Sequence, residues 1–328
     1  MIIKLSRLVL AIFLIVIALG IIAALVYMFI PKSQPLFLGG RVYDLSPKDD
    51  FATHTLAQNG DYSQRYQRPS CQKPVENPYN YQFFSEDPLR LDTLQKPEDA
   101  ILAYFGILRE AAHMEGYTAG CGSIGDGDIP YPYAYELLSS ELKRSLSLNQ
   151  FKDSFSGIGH ITLLKVYPAY PPDGGSYYMF EIEVIKGSRD SEREQDKAKA
   201  TSFAYYYGIV ENVFENGGWK LQSINILGED FLCAPYHGWF YDSQAVMEIV
   251  YKENLKIINE ITKTERKDDF VYIYAKGNGK DYRFDFVVLT NGHEVLLNEN
   301  VLDNREYVPV NLLPEQYKNY KLSILAFR

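Results

Sequence analysis

Paired carboxylates, a thiol near a histidine, and a serine one helical turn from a lysine are the residues here whose spacing could support catalysis. Glu181 and Glu183 lie two apart in SYYMFEIEVIKG, whose alternation reads as a β-strand, so both leave the same face. Two such carboxylates divide into a general acid and a general base when their surroundings differ. The alternate positions Tyr178, Phe180, Ile182 and Val184 are wholly apolar and should meet the core, which sends the glutamates outward. Lys165 is expected outward as well. Lys220 and Gln222 share a face that turns apolar at Ile224 and Ile226, so its direction stays open. Cross-strand charge pairing accounts for these residues without catalysis. Cys233 and His237 offer a thiol and a base, but a nucleophile pair also needs contact and an orienting third group. CAPYHGWFY reads instead as a joint, with Trp239 and Phe240 buried. Ser140 and Lys143 match S-x-x-K without the companion S-D-N or K-T-G motifs, and on a helix they form an exposed polar face.

Cofactor and metal patterns are weak. The run from Gly120 through Cys121 to Gly125 fits G-x-G-x-x-G, but it follows a helix and opens no βαβ unit. Its glycines end a helix and turn the chain. Asp126 and Asp128 are oxygen donors without the frame of a calcium loop. His54, His113, His160 and His293 are isolated, and none has metal-ligand spacing. No cofactor or metal is expected. The 3 cysteines, Cys71, Cys121 and Cys233, allow one internal disulfide at most and leave one thiol.

The elements that position these residues fall into two α+β groups. KPEDAILAYFGILREAAHMEGY predicts a helix: Pro97 suits a first turn, Glu98 and Asp99 suit its positive end, and Ile101, Phe105, Leu108 and Ala112 make one apolar face. Two shorter helices are expected in AYELLSSELKRSL and SLNQFKDSFSGI. Period-two alternation then predicts strands at 159–168, 176–187, 201–210 and 219–228, joined by PPDGG, a mixed-charge loop and ENGG, as an antiparallel meander. A helix through QAVMEIVYKE, capped by Asp242 or Ser243, starts the second group. Strands follow around LKIINEI, FVYIYAKG, YRFDFVVL and EVLL, with turns at KDD, GNGK and TNGH, and Asn291-Gly292 is a hairpin signature. KLSILAF could add an edge strand.

Residues 8–30, LVLAIFLIVIALGIIAALVYMFI, carry no charge. As a helix this run extends about 35 Å, enough to cross a hydrocarbon core. Lys4 and Arg7 precede it and no acidic residue appears before Asp44, which places residues 1–7 in the cytoplasm and the bulk of the chain outside. A signal peptide would have a shorter apolar core and a small-x-small cleavage site, whereas Ala23-Ala24 is followed by more apolar chain. A buried core helix would not be apolar all round. Residues 31–92 lack a sustained period and read as a stalk or extended lead-in, although Phe83, Phe84 and Leu89 look able to dock. The formal charge of −9 argues against nucleic acid and against an anionic lipid surface. Sparse cysteine beyond the span suits a bacterial envelope protein. The 27 tyrosines suit half-buried sheet, and Tyr-rich surfaces can also bind peptide or glycan.

Residues about 93–232 resemble the nuclear-transport-factor-like superfamily, a cystatin-like α+β roll. The resemblance rests on KPEDAILAYFGIL, on YAYELLSSELKRSLSLNQFKDSF and on the meander closing at GGWKLQSINIL. It implies a helix packed on a curved antiparallel sheet around a pocket, for which Tyr104, Tyr135, Phe180 and Tyr206 are the candidate lining. The same side chains can instead fill the core. Residues 240–328 read as a second, smaller α+β module. The overall expectation is α+β: a transmembrane helix, then a roll, then the small module. The expected function is a single-span extracytoplasmic binding or scaffold protein that meets an envelope protein or a small-molecule ligand. The alternatives are a pocket enzyme with dehydratase- or isomerase-like acid/base chemistry, and a component of a membrane complex such as conjugation machinery.

Overall fold

Pro97 opens the first helix, α1 (Pro97–Arg109), and the Asp99 carboxylate reaches back to the Lys96 N–H at 2.7 Å. This satisfies one of the donors that a helix start leaves unpaired. The computed structural model describes residues 36–42, 74–79, 81–84, 93–118, 125–170, 174–189, 202–229 and 243–314. The fold is mixed α+β, mostly strands in two larger sheets with few helices. Among the described residues no helix is long and apolar enough to cross a membrane. The run at 8–30, all three cysteines, His54, His237, Trp239, Phe240, Leu89 and KLSILAF lie outside those residues.

The first sheet contains β1 (Leu36–Phe37) and β2 (Gly40–Val42). It is completed by β4 (Ile158–Ala169), β5 (Ser176–Lys186), β7 (Ser202–Glu215) and β8 (Gly218–Gly228). Its order is β1-β2-β8-β7-β5-β4, and the four strands predicted as a meander are all antiparallel neighbours. β7 runs beyond its expected end to Glu215, where Asn216 and Gly217 take φ of 53° and 81° and turn the chain into β8. Two-residue hairpins need this left-handed backbone, and Asn-Gly supplies it with least strain. A small separate pair joins β3 (Tyr117–Thr118) to β6 (Ser188–Arg189).

The helix expected through AYELLSSELKRSL is two helices, α2 (Tyr131–Glu136) and α3 (Ser140–Ser145). Ser139 divides them. Its hydroxyl accepts the Leu142 N–H at 3.1 Å as an N-cap, and its own N–H donates to Leu221 O at 2.9 Å, tying the break to β8. α4 (Leu148–Asp153) follows, with Ser147 and Gln150 forming a capping box.

α1 packs on the first sheet, where Phe180, Ile182 and Val184 are completely buried. Its outer side is covered too. Tyr81 Oη donates to Ala103 O at 2.9 Å, and a Cβ on Gly106 would lie 1.9 Å from the Asn77 amide. Tyr79, Tyr81, Phe83 and Tyr133 continue as a chain of ring contacts. The described parts of the lead-in therefore lie on this module, and Phe83 is docked while Phe84 is exposed.

The second sheet is a five-stranded antiparallel meander, β9 (Glu260–Lys267), β10 (Phe270–Gly277), β11 (Lys280–Val288), β12 (Glu294–Asp303) and β13 (Glu306–Val310). β13 was not foreseen. Its turn uses Asn304 and Arg305 at φ of 47° and 74°, and arginine carries no turn signature. One face, with Val271, Ile273, Phe284 and Phe286, packs under α5 (Ser243–Ala245) and the π-helical Val246–Asn254 that continues it. Ser243 is the first helical residue, and its N–H is capped from β12 by the Glu294 carboxylate at 2.9 Å.

The two sheets also meet. Tyr177, Met179, Ile209 and Leu227, from the face of the first sheet opposite α1, pack with Val287, Leu289 and Leu297 of the second. The described residues belong to one compact unit.

Candidate functional site

Asn278 and Gly279, at φ of 51° and 74°, close the hairpin between β10 and β11 and set Gly277 opposite Lys280. That register decides the surface. It places Tyr274 opposite Arg283 and Tyr272 opposite Asp285, and β9 adds Lys263 beside Tyr274 and Glu265 beside Tyr272. Because side chains alternate, Phe270, Tyr272 and Tyr274 share the face opposite the π-helix. Near Phe270 and Val287 this face is covered by the first sheet. Further along it opens into a cleft of about 440 Å³, lined by Tyr167, Pro168, Glu265, Lys267, Phe270, Tyr272, Tyr274, Arg283, Asp285 and Asn298.

The geometry is ordered by rings and one guanidinium. Tyr167 meets Phe270 edge-on at 4.7 Å, and Phe270 stacks on Tyr272 at 5.6 Å. The Arg283 guanidinium lies 5.5 Å from the Tyr272 ring and 4.9 Å from that of Tyr307. It also donates twice to Asp285, at 2.7 and 3.0 Å, while Asn300 donates to the same carboxylate at 3.1 Å. A planar fork held this way keeps its remaining N–H groups in fixed directions. Tyr167 Oη donates to Asp269 at 2.7 Å, and burial and then Asp269 push that phenol well above its usual range. Burial raises Tyr272 and Tyr307 as well, so these three phenols stay protonated. Glu265 is paired with Lys263 at 2.5 Å.

The residues singled out from sequence fall elsewhere. Tyr104 and Phe180 are completely buried, linked through Phe105 at 5.2 and 5.1 Å. Tyr135 is half-buried and donates to Leu146 O at 2.8 Å, and Tyr206 is half-buried against Phe37 at 5.1 Å. Tyr104 and Phe180 are therefore closed in, while Tyr135 and Tyr206 lie towards the rim of the same core. Phe151 packs against Tyr104 and Tyr135 at 6.3 and 5.6 Å, and the turn between β1 and β2 closes over Tyr104. There Leu38 is buried, its N–H donates to Ser154 O at 3.1 Å, and the Gly39 N–H donates to Ser154 Oγ at 2.9 Å.

Glu181 corrects the expectation that it faces outward. It is 0 % exposed, paired with Lys165, itself 5 % exposed, and it accepts the Thr290 N–H at 2.5 Å. The reason is the second sheet, whose β11–β12 loop covers this side. The Asn291 N–H donates to Glu229 at 3.2 Å in the same joint. Burial and the adjacent Glu181 push the Glu229 carboxyl well above the usual range. Glu183, two residues on, accepts from Tyr205 Oη. The pair Lys165–Glu181 is cross-strand, as charge pairing implied, but it is interior.

No family model, curated protein or solved structure matches this chain.

Ser140 and Lys143 turn to separate partners. Ser140 donates to Glu215 from N–H and hydroxyl at 2.7 and 3.1 Å, and Lys143 pairs with Glu136 at 2.7 Å. Asp128 is engaged by His113 at 2.9 Å and by Lys152. Burial raises its pKa, but those two partners outweigh it and hold the carboxyl low. Lys220 donates to Glu136 O at 2.8 Å, which fixes the direction left open for it, and Gln222 donates to Glu141. Of the G-x-G-x-x-G run only Gly125 is described. The cleft residues were missed, yet their pattern was available. FVYIYAKG and YRFDFVVL flank a two-residue Asn-Gly turn, and folding that hairpin on paper puts Tyr, Arg and Asp on one face.

Proposed function

We propose that this chain is a single-span, membrane-anchored binding protein of the bacterial cell envelope, which presents the cleft on its second sheet as the ligand-binding face. The observation that carries the binding reading is a contrast. The interior beneath α1 is filled by Tyr104, Phe151 and Leu38, whereas the second sheet leaves aromatic and polar side chains around an open cleft. Binding sites combine concave shape, apolar rings and a few fixed polar groups. A pocket enzyme of the nuclear-transport-factor-like kind would need open space under α1, where Tyr104, Phe151 and Leu38 are buried. The helix-on-sheet plan of residues about 93–232 supports the resemblance to that superfamily as a scaffold. The apolar run at 8–30 supplies the tether, and Lys4 and Arg7 keep the short N-terminus in the cytoplasm.

The test is topological and chemical together. The full chain should stay with membranes through an alkaline wash, and protease added outside spheroplasts should cut it. N-terminal sequencing should begin at residue 1 or 2. A mature start after Ala24, or recovery in the cytosol, would overturn the anchored reading.

A further inference from the structure

The charges around the cleft cancel. Along the lining and directly beside it, Lys263, Lys267 and Arg283 stand against Glu265, Asp285 and Asp269, the last held by Tyr167. Arg283 and Asp285 neutralise each other directly, and Lys263 neutralises Glu265. A ligand with net charge would find no complementary field here, since recognition of ions relies on clustered charge of one sign. Hydrogen-bonding capacity nevertheless remains. The Asn298 amide, the Lys267 ammonium and the Tyr272 and Tyr274 hydroxyls all border the cleft. The wall beside them is aromatic: Tyr167, Phe270, Tyr272 and Tyr274. Planar rings next to planar amide and guanidinium groups suit a ligand with many hydroxyls and apolar C–H faces.

An extended peptide would seek a free strand edge instead, through main-chain hydrogen bonds. β9 is the sheet edge beside the cleft, and Glu260, Lys263, Glu265, Arg266 and Lys267 crowd it with charge, which discourages strand addition.

We infer that the cleft formed by Tyr167, Phe270, Tyr272, Tyr274, Arg283 and Asn298 binds an uncharged oligosaccharide, its sugar rings against the aromatic wall and its hydroxyls on Asn298, Lys267 and Arg283. This rests on the reading of the chain as a binding protein and names the ligand class of that site.

The experiment uses the full chain in a detergent without sugar headgroups, because a glycosidic detergent would compete for the site. Cellotetraose, chitotetraose and maltotetraose are titrated by calorimetry, alongside an acetylated decaproline peptide as the peptide probe. At least one sugar should bind saturably, with an affinity that does not move with added salt. Tyr272→Ala should weaken it roughly tenfold, and Asn298→Ala by a smaller factor, as loss of one ring contact or one hydrogen bond implies. Circular dichroism of both variants should match the parent. If no sugar binds but decaproline does, and Tyr272→Ala abolishes that binding, the sugar inference falls while the binding reading stands. If neither sugar nor peptide binds, both fall. A sugar that binds with equal affinity to Tyr272→Ala places the site elsewhere and overturns the inference.

Discussion

Two ion pairs sit on the two sheets, Lys165–Glu181 across neighbouring strands and Arg283–Asp285 two residues apart along β11, and they have opposite surroundings. Lys165 and Glu181 are 5 % and 0 % exposed, sealed where the sheets meet. Arg283 and Asp285 are 27 % and 7 % exposed, on a face that the first sheet leaves partly uncovered. The difference comes from what lies above each strand. The β11–β12 loop brings the Thr290 and Asn291 N–H groups onto Glu181 and Glu229. Nothing equivalent covers Tyr272 and Arg283 among the described residues, and the cleft remains. Ion pairs therefore do not identify a site by themselves. The buried pair specifies how two sheets join, and the half-open one fixes a guanidinium at a surface.

The largest effect expected from this contrast is at Lys165. Lys165→Met keeps the stem but leaves Glu181 buried without its cation, and Glu229 loses a nearby positive charge as well. Breaking a buried pair by removing one partner costs about 3–5 kcal/mol. Denaturant unfolding should register that loss. The double change Lys165→Met with Glu181→Gln should recover most of it, because an uncharged amide can still accept the Thr290 N–H. A loss under about 1 kcal/mol for the single variant would mean that water reaches the joint, and the contrast would collapse.

Glu229 gives the same joint a pH signature. Its folded pKa lies above the unfolded value, through burial first and the neighbouring Glu181 second. The folded state then holds a proton that the unfolded state has released, so the contribution to stability is complete below the unfolded carboxylate range. It declines as pH rises through the folded pKa. The decline is at most about 1.4 kcal/mol per pH unit for one proton. Glu229→Gln should flatten the stability profile on that side. An unchanged profile would show that Glu229 ionises freely in the folded protein.

The fold was more legible than the site. The four strands of the first sheet were readable because one face packs on α1 and gives clean alternation, as at Phe180, Ile182 and Val184. The fate of Glu181 was not readable, since its strand carries charge on a face that a distant part of the chain covers. Alternation reports only that two faces differ, and a charged face reads as solvent until its tertiary partner is known. β1 and β2 escaped notice because each is too short to show a period, and β2 joins β8 in parallel, which no local turn announces. The run at 8–30 was the clearest feature of the sequence, and it lies outside the described residues.

The filled interior beneath α1 offers a third test, aimed at the turn that closes it. Gly39 has φ +74°, and a Cβ there would lie 2.4 Å from Tyr104 Oη and 2.7 Å from the Phe151 ring. Alanine would face both a backbone conformation that disfavours it and a collision with the core. Gly39→Ala should destabilise by about 1–2 kcal/mol. Amide exchange should quicken at Leu38 and Ser154, which the turn joins. Unchanged exchange there would mean that the turn does not seal the core, and the pocket reading would regain ground.

Arg283 should show the smallest loss of stability, and that smallness is the point. Arg283→Ala removes both bonds to Asp285, but Asn300 still donates to that carboxylate at 3.1 Å, and the open cleft admits water to replace the guanidinium. The cost should be about 1 kcal/mol or less, as for pairs that solvent can reach. Its size beside Lys165→Met measures directly how much covering each pair has. If Arg283→Ala cost 3 kcal/mol or more (the scale of a sealed pair), the open face would be as structural as the joint. Arg283 would then hold the sheet together, not point its remaining N–H groups at a ligand.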